Sequence, residues 1–526
     1  MNKTGMNRTS MSKWLLAGLL MAGGASAKTI VFGLSGEPIS LDPSVTADGN
    51  TAYVTTQIYN SLISFKPGTV DLQPDLALRW TVSNDSLTWT FYLRQNVKFH
   101  DGTPLNAEAV RFNFMRWWDP SNEFGAKKPF LGWKNNLGGF KGEDGSLVKD
   151  IKVRNQYAID IILDKPYPAL GSILADSGLF GIASPTAIKK NPAQYGTPAG
   201  IAVGTGPFML KKWTSGVNVD LVRNPNYFRA GLPKSEALLF RFVKDPSSRL
   251  NELLTGGVDI AAELLPDQLK AIQSNTKLNA VLRPALNLGY LGLNTSYKPL
   301  ADVRVRTAIA SALNKKAIVE TFWNGLGITD GHLLPPPLAK NYAKSVTDYK
   351  FDPAAAKKML ADAGYPNGFA LDLWYMPVSR PYYPTPKPIA EAMAADLSAI
   401  GIKVNLKTED WAKYLQDRQD GKFQAFMLGF VYVTDPDSAY TYLIAPGSTT
   451  DITWNSPEAN TALESARKLS NPAQRLPLYQ KVDEIMFREA VRIPIVHSRL
   501  LVASGVGVKG WIPSPTGSEK LDTVEK

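Results

Sequence analysis

Residues 386–406, PKPIAEAMAADLSAIGIKVNL, decide the fold class. Ile389, Met393, Leu397 and Ile400 recur at spacings of four and three, which is one apolar face of an α-helix. Pro386 and Pro388 stand where a helix begins, a place where the missing N–H costs nothing. Gly401 can adopt the left-handed backbone that ends a helix. Ile402, Val404 and Leu406 then alternate with polar residues, the pattern of a half-buried strand. Helix, stop and strand in one short segment indicate α/β layering.

Working outward, the same two periods interleave. Residues 87–99, LTWTFYLRQNVKF, alternate Trp89, Phe91 and Leu93 against polar partners, and 151–163 do so with Val153, Tyr157, Ile159 and Ile161. Each reads as one half-buried strand. Residues 303–322 read as one helix, with Val305, Ile309 and Leu313 four apart and Asp302 as N-cap. Leu478, Val482, Ile485 and Met486 mark another helix, and the apolar run from Arg492 to Ala503 reads as the strand that follows it. Loops are expected at 196–207 (GTPAGIAVGTGP), 331–337 (GHLLPPP) and 376–388 (MPVSRPYYPTPKP). Prolines at the density of the third pre-set the backbone, so that loop should hold its side chains in fixed directions.

The N-terminus has a different character. Lys3, Arg8 and Lys13 precede the apolar run Trp14 to Ala22, and Ala25-Ser26-Ala27 supplies small residues for cleavage before Lys28. That is the pattern of a secretory signal peptide over 1–27. The run is too short to span a bilayer. No cysteine occurs in the chain, which excludes disulfides and a lipidated cysteine anchor, so a freely diffusing periplasmic protein is expected. About 500 residues remain after the leader, enough for two or three domains. The net charge of +11 loses three with the leader. The remaining basic residues are scattered, which argues against nucleic acid as a partner.

Catalytic signatures are missing: no H-E-x-x-H, no G-x-S-x-G, no P-loop and no cysteine nucleophile. The three histidines, His100, His332 and His497, share no metal-ligand spacing, and core or surface roles are expected for them. Gly505 to Gly510 satisfies G-x-G-x-x-G but lacks room for the helix and acidic residue a dinucleotide requires, so it reads as a C-terminal turn. Neither enzyme activity nor a bound cofactor or metal is expected. Aromatic residues do gather around the proline loop: Trp374, Tyr375, Tyr382, Tyr383, Trp411, Tyr414, Phe430, Tyr432 and Tyr440. They can form an ordinary aromatic core or flank a ligand. Arg380 lies between loop prolines with no helix face to explain it and reads as a carboxylate ligand. Asp435 and Asp437 read as one helix cap and one group for a positive ligand end.

Ordered stretches across the mature chain carry a family resemblance: SLDPS (40–44), LALRWTVSNDSLTWTFYLRQNVKFHDGTPLNAEAV (76–110), GTGPF (204–208), RNPNYF (223–228) and LNLGYLGLNT (286–295). To these add VRVRTAIASALNKKAIV (303–319), FDPAAAKKMLADAGYPNGF (351–369) and DLWYMPVSRPYYP (372–384). The chain resembles the family 5 extracellular solute-binding proteins of bacterial ABC importers, most of all the dipeptide-binding members. The resemblance implies a two-lobed α/β clam-shell (type II, cluster C) with an extra α/β domain inserted in lobe one. Transferred here, lobe one is 28–65, 195–285 and 500–526, the insert 66–194, and lobe two 286–499. It further implies a monomer that captures a short peptide by hinge closure and passes it to a membrane permease. The peptide carboxylate would sit on Arg380, its body against Tyr382 and Trp411, and its backbone against the loop of Asp48, Gly49, Asn50 and Thr51. In one place the sequence departs from the pattern. GFVYVTDPD (429–437) is a residue shorter than its dipeptide-binding counterpart and lacks the aspartate that holds the amine, leaving Tyr432 nearby and Asp435 as the nearest substitute. Nickel chelates, heme, glutathione and oligosaccharides are alternatives on the same scaffold, and a secreted hydrolase is one from another class.

Overall fold

The helix and strand at 386–406 fold as their spacing predicts. Pro386–Ala399 is helical, Ile389, Met393 and Leu397 are fully buried, Gly401 has φ of +95°, and Lys403–Lys407 forms a strand. Burying each of those three side chains is worth about 1.5–3 kcal/mol, which fixes the helix on its sheet. In the computed structural model, the described residues are 29–46, 48–125, 128–431, 433–445 and 449–526. The expected leader, 1–27, and Tyr432 lie outside them.

Two large sheets carry the lobes. In spatial order the first comprises Leu278–Arg283, Leu500–Gly505, Ile260–Leu264, Thr29–Leu34, Ala237–Phe242, Asn218–Arg223 and Phe208–Thr214. The second comprises Gly327–Ile328, Arg492–Ser498, Asn287–Leu293, Ala425–Val431, Ala370–Trp374 and Lys403–Lys407. A separate four-stranded sheet, Ala77–Val82, Thr88–Leu93, Ala158–Leu163 and Val148–Asn155, falls in sequence between strands Thr29–Leu34 and Phe208–Thr214 of the first. It has its own aromatic core around Trp117, Trp133, Phe114 and Phe180. The motif SLDPS ties this insert to the first lobe. Asp42 is buried and accepts from Arg116 Nη1 at 2.7 Å and Lys128 Nζ at 2.6 Å. A buried carboxylate is tolerated only when charged donors satisfy it.

Three segments depart from the sequence reading. Residues 151–163 are two strands of a hairpin, because Asn155 accepts the Tyr157 N–H at 3.0 Å and turns the chain. Residues 303–322 form two helices, Val303–Ala312 and Lys315–Trp323. Leu313 is extended between them, and the Asn314 side chain caps the second by accepting from Ala317 N at 3.1 Å. The run from Arg492 to Ala503 belongs to both large sheets, Arg492–Ser498 in the second and Leu500–Gly505 in the first.

That last division makes one of the crossings between the two sheets. The chain crosses between sheets at Arg499 and, next to it, between Leu278–Arg283 and Asn287–Leu293. The Asn287 side chain clasps the two crossings, donating to Ser498 O at 2.7 Å and accepting from Ser498 N at 2.8 Å. At the far rim the insert touches the second lobe, with Ser86 Oγ donating to Lys468 O at 3.3 Å and Lys340 pairing with Asp71.

Candidate ligand-binding cleft

A cavity of about 390 Å³ lies where both lobes and the insert meet. The first lobe presents the start of helix Gly49–Ile58, through Asp48, Gly49, Ala52 and Tyr53, together with Glu263 and Arg283. Tyr167, Ile173 and Asp176 come from the insert, and Val431, Val433, Thr434 and Ser438 from the second lobe.

Most of the polar groups in this lining already have partners. Asp48 accepts from Thr51 N at 2.8 Å and Thr51 Oγ1 at 3.0 Å as the helix N-cap. Asp176 accepts from Gly178 N at 2.9 Å and Ser518 Oγ at 3.0 Å, and burial pushes its carboxyl above the usual range. Arg283 donates to Tyr53 Oη at 2.6 Å and Glu519 Oε1 at 2.7 Å. Burial pushes the Glu519 carboxyl up, and Arg283 counteracts that. Tyr167, from the insert, and Ser438, from the second lobe, both line the cavity, and burial pushes the Tyr167 hydroxyl up to about 12, with Ser438 acting against it.

The residues expected from sequence fall into three groups. Gly49 lines the cavity, while its neighbours turn inward. The Asn50 side chain accepts from Ser35 Oγ at 3.2 Å, and Thr51 is buried and accepts from Ile39 N at 3.0 Å. Arg380, Tyr382 and Trp411 form one cluster on the second lobe, outside the residues that line this cavity. Backbone bonds between Arg380 and Tyr383, at 2.9 and 3.0 Å, close the proline loop into a tight hairpin. The guanidinium sits 5.3 Å from the Trp411 ring centroid, and that ring stacks on Tyr414. Burial pushes the Tyr382 hydroxyl up to about 12, with Arg380 acting against it. Arg380 Nη1 donates to Ser379 O at 3.0 Å, and the side chain makes no ion pair among the described residues. Asp435, in the third group, caps helix Pro436–Ile444 by accepting from Asp437 N at 2.8 Å. Burial raises its carboxyl to about 6, with Arg475 opposing. Asp437 is buried and bound to Arg467 Nε at 3.1 Å.

Sequence reasoning missed Tyr167, Asp176, Glu263 and Arg283. For the last two a signal existed: each is a charge near the end of a mainly apolar strand, IAAEL and LNAVLR. Strand ends are where open α/β sheets meet their ligands.

The sequence profile of the bacterial extracellular solute-binding proteins, family 5 middle region, matches residues 71–451. The chain belongs to this family. It is 29% identical to the dipeptide-binding protein of Escherichia coli (strain K12) over 545 aligned positions, covering 100% of this chain and 99% of that one. It is 32% identical to heme-binding protein A of Haemophilus influenzae, covering 94% and 91%. Superposed on the structure of HbpA2 from Haemophilus parasuis, it gives a TM-score of 0.88 at 30% identity, covering 95% of this chain and 99% of that one. Like other family 5 proteins it is a solute-binding component of an ABC importer and not an enzyme.

Proposed function

We propose that this family 5 protein captures short peptides in the periplasm and delivers them to the permease of an ABC importer. The observation that carries this reading is Arg380. A half-buried guanidinium, held on an indole face by a proline hairpin and lacking any carboxylate among the described residues, is suited to bind one from a ligand. Full-length similarity to a dipeptide-binding protein supports the ligand class. In this reading the leader over 1–27 exports the chain. The protein acts as a monomer whose lobes are 28–65 with 195–285 and 500–526, and 286–499, with 66–194 inserted.

Native mass spectrometry of the mature protein, purified without refolding, tests the ligand class. Co-purified masses of di- to pentapeptides are expected, and calorimetry should show saturable binding without turnover. Arg380→Ala should weaken carboxylated ligands at least tenfold, about 1.4 kcal/mol. An unchanged dissociation constant removes Arg380 from the site. A heme ligand is the second reading, favoured by the 32% identity to heme-binding protein A. A Soret band in the purified protein would establish it and displace the peptide.

A further inference from the structure

We propose that Glu263 receives the cationic group of the ligand, the free α-amine of a short peptide. The inference rests on the peptide reading above and names a contact that the reading leaves unassigned.

Four charged residues line the cavity: Asp48, Asp176, Glu263 and Arg283. Three are committed within the protein. Asp48 caps a helix, Asp176 caps the next turn and holds Ser518, and Arg283 is paired with Glu519. The Glu263 side chain is exposed to the cavity and makes no hydrogen bond or ion pair among the described residues. The acids on the second lobe offer no substitute. Asp435 is spent as a helix cap beside Arg475, and Asp437 is spent on Arg467. The free carboxylate of the lining therefore stands on the first lobe, whereas the Arg380 hairpin belongs to the second.

The backbone under Glu263 is built to present it. Glu263 has φ of +52°, a left-handed conformation that a non-glycine residue adopts at a cost. It lies where the register between Ile260–Leu264 and Leu500–Gly505 shifts, between Ala261 and Leu264. Such a bulge redirects a side chain away from its alternating position. The distortion is held from beneath by Arg249, itself 2% exposed, whose Nε donates to Ala262 O at 2.8 Å and Nη2 to Glu263 O at 2.7 Å. A buried guanidinium thus fixes two successive carbonyls and feels the Glu263 charge, while the side chain of the strained residue faces the cleft with no direct hydrogen-bond or ion-pair partner among the described residues. Strained residues pinned by their surroundings concentrate at binding sites. An ammonium against this carboxylate gains a charge-assisted hydrogen bond that an acylated nitrogen cannot make.

The test is calorimetry on the mature full-length protein with a dipeptide and tripeptide panel in two forms, free amine and N-acetylated. Glu263→Gln keeps shape and hydrogen-bonding capacity and removes the charge. It should weaken free-amine peptides about tenfold or more and leave N-acetylated peptides unchanged. If wild type and Glu263→Gln bind free-amine peptides equally, the assignment is overturned while the peptide reading stands. Should wild type bind no peptide in either form, the peptide reading fails, and the assignment of an amine contact fails with it. Circular dichroism on Glu263→Gln, and its affinity for the acetylated series, separate a lost contact from a lost fold.

Discussion

Gly289 and Gly429 face each other across the strands Asn287–Leu293 and Ala425–Val431, and Tyr382 occupies the room they leave. A Cβ at Gly429 would fall 2.1 Å from Leu288 O and 2.5 Å from Tyr382 Cδ2. Gly429→Ala should therefore cost roughly 1–3 kcal/mol in chemical denaturation, and by displacing Tyr382 it should also weaken ligands that use Arg380. Gly49 is the contrasting case. Nothing lies within 4 Å of its Cβ direction, so Gly49→Ala should leave stability nearly unchanged, and any loss of affinity would report a ligand contact. His100 allows a prediction about pH. Its Nδ1 accepts from Gly204 N at 3.3 Å and its Nε2 faces Gly206 O at 3.0 Å, an arrangement only the neutral ring satisfies. Burial pushes its pKa from 6.5 down to about 4. With the folded value depressed, the stabilisation is complete above pH 6.5 and is lost as pH falls toward 4. By pH 4 that loss is on the order of 3 kcal/mol. Urea titrations at pH 7 and pH 4.5 should show this loss in wild type and a much smaller one in His100→Gln. Equal losses in both proteins would place the acid sensitivity elsewhere.

Among the elements, the break at Leu313-Asn314 deserves a direct test because the apolar spacing runs straight through it. Asn314 Oδ1 accepts from Ala317 N, and its backbone N donates to Asp396 at 2.8 Å, so the junction is tied to helix Pro386–Ala399 as well. Removing the cap by Asn314→Ala should cost about 1 kcal/mol, and Asn314→Asp should recover most of it; denaturant midpoints at constant m-value check both. The same junction shows what sequence can and cannot reveal. Periodicity located Pro386–Ala399 because its apolar face, its proline start and its glycine stop all agree. It merged the two helices because one capping asparagine is a weak signal against a continuous stripe of Val305, Ile309 and Leu313. Residues 151–163 merged because their turn, Asn155-Gln156-Tyr157, contains neither glycine nor proline. In the run Arg492–Ser498 every residue is buried, so no alternation remains to show that the strand beyond it changes sheets. For the proposed site, the rigid hairpin that carries Arg380 could be read from the prolines around it. Glu263 gains its meaning from a bulge held by Arg249 and from a cleft assembled by remote segments, and neither is local in sequence.

At the scale of the whole molecule, if ligand capture closes the lobes about the two crossings clasped by Asn287, affinity measures closure as well as contact. Any group that bonds across the cleft favours the closed form whatever the ligand is. Tyr167 is a candidate: it comes from the insert and shares the cavity lining with Ser438 of the second lobe. Tyr167→Phe removes the hydroxyl, and a bond from it to Ser438 in the closed form would be worth about 0.5–1.5 kcal/mol. If that bond acts through closure, the variant lowers affinity by the same factor, about two- to tenfold, for every ligand tested, acetylated or free. X-ray scattering should then show the unliganded variant shifted toward a larger radius of gyration, with the saturated form unchanged. A loss confined to one ligand series, with scattering identical to wild type, would instead make Tyr167 a ligand contact. The comparison separates the two ways a cleft residue can matter: Glu263→Gln discriminates between ligands, whereas Tyr167→Phe changes how readily the lobes come together around any of them.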